Sequence, residues 1–99
     1  MEDAIGAPVL ALAPPRPNPF HGTTAIRYTL SRAARVTVRI HDLAGRTVRE
    51  LDAGSRAAGA HDVAWDGRDD AGREARSGTY FVRLTVAGLT RTATVVRLR

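Results

Sequence analysis

Strict alternation of apolar and polar residues, repeated along the chain, most limits what this sequence can fold into. In "TTAIRYTL" Ile26, Tyr28 and Leu30 share one side of an extended chain, and Arg27 and Thr29 the other. In "ARVTVRIHD" Val36, Val38 and Ile40 alternate with Arg35, Thr37 and Arg39. "AHDVAWD" sets His61, Val63 and Trp65 against Asp62 and Ala64, and "GTYFVRLTV" sets Tyr80, Val82, Leu84 and Val86 against Phe81, Arg83 and Thr85. The last run, "TRTATVVRLR", puts Thr94, Val96 and Leu98 on one face, with its first half ambiguous. A period of two is the signature of a strand with one dry face and one wet face. Two weaker strands are expected at 8–13 and 46–51. Helical signals are nearly absent, and the 31–35 candidate is too short to stand alone.

The breaks between runs are equally legible. "DLAG" (42–45) suits a type I turn closed by Gly, and "AGLT" (87–90) a short hairpin link. "AGSRAAGA" (53–60) reads as a small-residue loop, and "RSG" (76–78) starts the Tyr80 strand. "APPRPNP" (13–19) holds four prolines in seven residues, so it must be extended and cannot pair as a central strand. About seven short strands at this spacing predict an all-β fold, an Ig-like antiparallel β-sandwich. Ile26, Tyr28, Val38, Trp65 and Tyr80 are the expected core, with Trp65 and Tyr80 its largest anchors.

Length and composition close off several functions. Ninety-nine residues make one small domain, with room for a core but not for a cleft between lobes. Residues 1–13 are expected to be a lead-in or first strand and 14–99 the sandwich. Without Cys there is no disulfide framework and no thiolate metal site. Without Lys there is no Lys–Asn cross-link. The net charge of +5 is carried by Arg alone. Those Arg residues are spread along the chain among Asp and Glu rather than clustered with aromatics, which argues against a nucleic-acid partner. No apolar run approaches the ~20 residues of a membrane span, so no membrane insertion is expected. "AIGAPVLALAP" (4–14) is short and follows acids, where a secretory signal has bases.

Each chemistry-bearing residue has a plainer role as well as a chemical one. "WDGRDDAG" (65–72) gathers Asp66, Asp69 and Asp70, an alternative reading of which is a calcium site. Calcium loops of the helix–loop–helix type need another spacing and helical flanks. Asp and Gly at these positions are explained by turn chemistry alone, with Arg68 and Arg73 balancing charge. His21, His41 and His61 lie too far apart in sequence to imply a shared zinc site, though a fold could join two of them, and Ser31, Ser55 and Ser77 lie in no nucleophile elbow. No Gly-rich phosphate loop is present. The expectation is a protein with no catalytic residues, no metal and no cofactor.

The order of features is more specific than any one of them. Pro17-Asn18-Pro19-Phe20 precedes the first long strand, Trp65-Asp66-Gly67 opens the acidic loop, and Gly78-Thr79-Tyr80 starts a later strand. Over about residues 14–99 the chain resembles the Ig-like domain of the flagellar hook-capping protein. It equally resembles the C-terminal sorting domain of type IX secretion cargo. The resemblance implies a non-enzymatic sandwich, exported or at the cell surface of a Gram-negative-type bacterium. Its partners would be secretion machinery or neighbouring domains, the chain being the tail or a fragment of something longer. The implied recognition elements are Pro17, Pro19, Gly78, Tyr80, Arg91, Arg97 and Arg99. The Arg residues are expected to be exposed on a terminal strand that offers an edge to a partner. The absence of Lys from that strand departs from the sorting pattern. A structural or spacer role, and carbohydrate binding on a sheet face with Phe81 its main aromatic, are the alternatives.

Overall fold

The computed structural model describes residues 10–99. Seven strands form two antiparallel sheets: β1 (Leu10–Leu12), β2 (Thr24–Leu30), β3 (Ala34–His41), β4 (Thr47–Arg56), β5 (Gly59–Trp65), β6 (Gly78–Val86) and β7 (Leu89–Arg97). The first sheet has the order β1-β2-β5 and the second β4-β3-β6-β7. The protein is an all-β, Ig-like sandwich.

The alternation in sequence becomes alternation in burial. Along β2 every second residue is buried, from Thr24 through Ile26 and Tyr28 to Leu30. Ile40, Val82, Leu84, Val86 and Val95 face them from the second sheet, and Ile26, Tyr28, Val38, Trp65 and Tyr80 all lie in the core. Each large aliphatic or aromatic side chain so buried contributes roughly 1.5–3 kcal/mol. A polar tie joins the layers: the Tyr28 hydroxyl donates to Asp52 Oδ2 at 2.9 Å, and the carboxylate in turn holds Arg56.

One expectation is revised, and two are given their detail. β4 runs to Arg56, so the loop read at 53–60 shrinks to Ala57 and Ala58. Small side chains there do not interrupt the backbone ladder, in which Ala53 pairs with Thr37 and Ser55 with Arg35. The Pro-rich segment forms no central strand and bonds to its neighbours only at isolated points, through non-proline residues. Ala13 N–H donates to Arg27, Arg16 exchanges bonds with Ala25, and Phe20 makes a parallel bridge to Arg97. In β7, Thr94, Val96 and Leu98 do share a side, but it is the outer one: Val95 and Arg97 point inward. Of the first weak strand, residues 8 and 9 lie outside the described residues.

Candidate functional site

The motif residues meet at one end of the sandwich. Phe20 and Tyr80 flank Trp65, with ring centroids 5.4 and 5.1 Å from it. The Trp65 indole N–H donates to Arg68 O at 2.9 Å, which folds the acidic loop back over the ring. Tyr80 donates its hydroxyl to Arg76 O and so fixes the loop's other end.

Arg97 crosses this cluster and is 4% exposed. Its exposure on a terminal strand is therefore overturned. Its Nε donates to Ala75 O and its Nη1 to His21 O, at 3.0 and 2.9 Å. Nη2 faces Glu74, and the guanidinium lies 5.7 Å from the Phe20 centroid. A buried guanidinium is tolerable only when its donors are met in this way. Gly67 makes the space: a Cβ there would sit 2.0 Å from Arg97 Nη1, and its φ of +78° already favours glycine. The period-two pattern of a strand assigns Arg97 to the core side, but a charged residue there reads as exposed unless its loop partners are known.

The acidic loop is a turn, and it is built twice. Asp42-Leu43-Ala44-Gly45-Arg46 and Asp69-Asp70-Ala71-Gly72-Arg73 make the same bonds. In each, the Asp Oδ1 accepts from the N–H groups two and four residues on, at 2.9–3.0 Å. The Gly N–H, at φ +84°, returns to the Asp carbonyl, and the Asp N–H donates to the Arg carbonyl. Asp69 is thus occupied by backbone. Burial opposes charge at Asp66, yet the Arg68 N–H and the Arg49 guanidinium hold it below the usual carboxylate range. The hydrogen bond to the Arg46 N–H does the same for Asp42. Among the described residues no group of three or more His, Asp or Glu is placed to hold a metal ion.

Asp70 has a different task. Its N–H donates to Val48 O and its Oδ1 accepts from Glu50 N–H, at 3.0 and 3.1 Å. That satisfies part of the outer edge of β4. Asn18 mirrors it on β7: its side chain donates to Thr94 O and accepts from Val96 N–H, while Phe20 exchanges bonds with Val96 and Leu98. Both edges of the four-stranded sheet are thereby closed at the motif end.

Between the twin turns lies an open groove of about 660 Å³, with Tyr80, Val48 and Ala75 on its floor and Arg46, Arg73 and Arg76 at its rim. It continues into a second hollow beside Gly78 and Leu43, and Leu43 is 73% exposed. Of the residues singled out from sequence, Gly78 and Tyr80 line this region. Pro17 is tied down by Thr24 Oγ1, which donates to its carbonyl at 2.8 Å, and Pro19 sits beside Phe20. The Arg99 guanidinium lies 3.7 Å from Glu74. Arg91 pairs with Leu84, toward the opposite end of β7, roughly 20 Å away along the strand. The sequence does not mark Phe20 as core, Asn18 as cap or Leu43 as rim, because single residues beside prolines or in a turn carry no period.

A family model for the FlgD Ig-like domain matches residues 18–89. The chain belongs to the FlgD Ig-like domain family. The FlgD basal-body rod modification proteins of Salmonella typhimurium and Salmonella typhi are each 38% identical to it over 55 residues. That alignment takes in 56% of this chain and 24% of theirs, so the chain spans about a quarter of those relatives. A solved FlgD from Xanthomonas campestris, linked to the hook capping that is essential for flagellar assembly, superposes with a TM-score of 0.62. It is 29% identical, over 93% of this chain and 70% of that one. Dimeric latent PorU from Porphyromonas gingivalis superposes with a TM-score of 0.79 at 21% identity, covering 99% of this chain and 10% of that one. The PorU likeness is one of fold. The matched span of the FlgD Ig-like domain holds the cap at Asn18, the Trp65 cluster and both turns.

Proposed function

We propose that this FlgD-like Ig domain is a non-enzymatic, exported module that works by protein contact, as a C-terminal sorting or anchoring element of a secreted bacterial protein read by the type IX secretion machinery. One observation supports this most directly. Gly78 and Tyr80 line a groove whose rim carries exposed Leu43 and the guanidinium groups of Arg73 and Arg76. With Val95 and Arg97 buried, the last strand belongs to the fold. The signal is then a folded surface rather than a linear tail, and Arg99 with the groove rim replaces Arg97 as its basic part. Deleting 95–99 would remove core residues along with any signal, so surface variants are the sharper test.

Residues 1–99 fused to a reporter should leave a cell that carries a type IX system and stay inside one that lacks it. Leu43→Glu with Arg99→Glu should reduce export while the domain keeps its melting temperature. Retention of the parent fusion in both cells overturns the proposal.

The 38% identity to the Salmonella FlgD proteins favours a second reading, a structural or assembly domain as in hook capping. Replacing the Ig domain of the Salmonella protein with this one should then restore motility.

A further inference from the structure

The outer face of the β4-β3-β6-β7 sheet carries a charge pattern that packing does not account for. Arg39 and Arg83 are direct cross-strand partners, and like charges opposite one another destabilise a sheet. Arg39 donates to Glu50 at 3.2 Å. Arg83 is exposed, and its neighbours across the ladder are Arg39 and Thr92. The diagonal positions hold Thr37, His41, Thr90 and Thr94, and Phe81 and Thr85 flank it along β6. None of these is a carboxylate.

A cavity of about 240 Å³ sits over this spot, lined by Thr37, Arg39, His41, Arg83, Thr85 and Thr90. The Thr85 and Thr90 hydroxyls lie 3.5 Å apart. The Arg83 guanidinium, with Arg39 beside it sharing its Nε with Glu50, selects an anion and favours a planar carboxylate, which Arg binds through two parallel bonds. Three hydroxyls, each able to donate or accept, select a ligand that carries hydroxyls of its own. A carboxylate on a peptide side chain would leave them unused.

We propose that this shelf binds an acidic sugar of the uronate class, with Arg83 and Arg39 on its carboxylate and Thr37, Thr85 and Thr90 on its ring hydroxyls. This site is separate from the groove and stands independently of the sorting role.

Amide NMR titration of the full chain with glucuronate, with glucose and with a glutamate-rich peptide tests it. Glucuronate should give saturable millimolar shifts at Thr37, Arg83, Thr85 and Thr90. Glucose and the peptide should bind at least about tenfold more weakly, the loss expected for one charge-assisted contact. Arg83→Gln should weaken glucuronate by about tenfold, and Thr85→Val, which keeps both charges, should weaken it by a smaller factor. Absence of saturable shifts, an equal response to the peptide, or Arg83→Gln binding like the parent would each overturn the proposal.

Discussion

Single residues at the motif end carry more of the fold than their surface-like chemistry suggests. Arg97 bonds to two carbonyls from separate loops, so Arg97→Ala removes both bonds and the contact with Phe20. Bonds to a charged donor contribute about 1.5–3 kcal/mol, and the expected loss is about 3 kcal/mol in denaturant unfolding. A loss below about 1 kcal/mol would mean that water replaces the guanidinium freely. Gly67→Ala must strain φ and displace Arg97 together, and should cost about 2–4 kcal/mol. Ala87 presents the opposite opportunity. It holds φ +51° ahead of Gly88 at +81° in the β6–β7 hairpin, a pair of values that Asn-Gly adopts with less strain. Ala87→Asn should raise stability by about 0.5–1 kcal/mol.

At the scale of strands, the features to explain are the two capped edges. An uncovered edge presents unpaired N–H and C=O groups that recruit other chains. Asp70 and Asn18 each satisfy one donor and one acceptor on an edge strand, Asp70 on β4 and Asn18 on β7. Asp70→Ala and Asn18→Ala should each cost about 1 kcal/mol. The double variant should also self-associate at concentrations where the parent is monodisperse, as light scattering would show. A double variant that scatters like the parent would mean that twist and charge alone protect these edges. The acidic loop thus has three Asp residues in three roles: Asp66 anchors Arg49, Asp69 bends the backbone, and Asp70 caps a strand.

Across the whole molecule, ionisation sets the pH range of stability. Asp52 is held below the usual carboxylate range by its hydrogen bond to Arg56, and Asp62 by the one from Arg27. Asp42 and Asp66 are lowered as well. A carboxyl depressed in the folded state stabilises it above the unfolded value, near 3.9, and that stabilisation is lost as pH falls through the folded value. Stability should therefore decline below about pH 4. At the alkaline end the sign reverses. Burial, aided by the neighbouring Asp52 carboxylate, pushes Tyr28 up to about 12. The folded protein holds that proton longer, so stability present below pH ~10 is lost as pH rises toward the folded value. Tyr28→Phe should flatten that alkaline decline, and tyrosinate absorbance of the parent should lag behind free tyrosine. Unfolding curves that match between variant and parent above pH ~10 would remove Tyr28 as the cause.

What this sequence settled by itself is the all-β fold, the faces of β2, β3, β5 and β6, and the Asp-Gly turns. Those depend on period-two burial and on local Asp and Gly chemistry, both written within a few neighbouring residues. It also marked the motif pieces around Pro17, Trp65 and Gly78. What the tertiary structure alone decided is their meaning. Whether Arg97 faces solvent depends on carbonyls at His21 and Ala75, and whether Asp70 binds an ion or a strand edge depends on β4. Partners so far apart along the chain leave no periodic trace. The pairing of Arg39 with Arg83 is likewise a matter of register between β3 and β6, which no single stretch encodes.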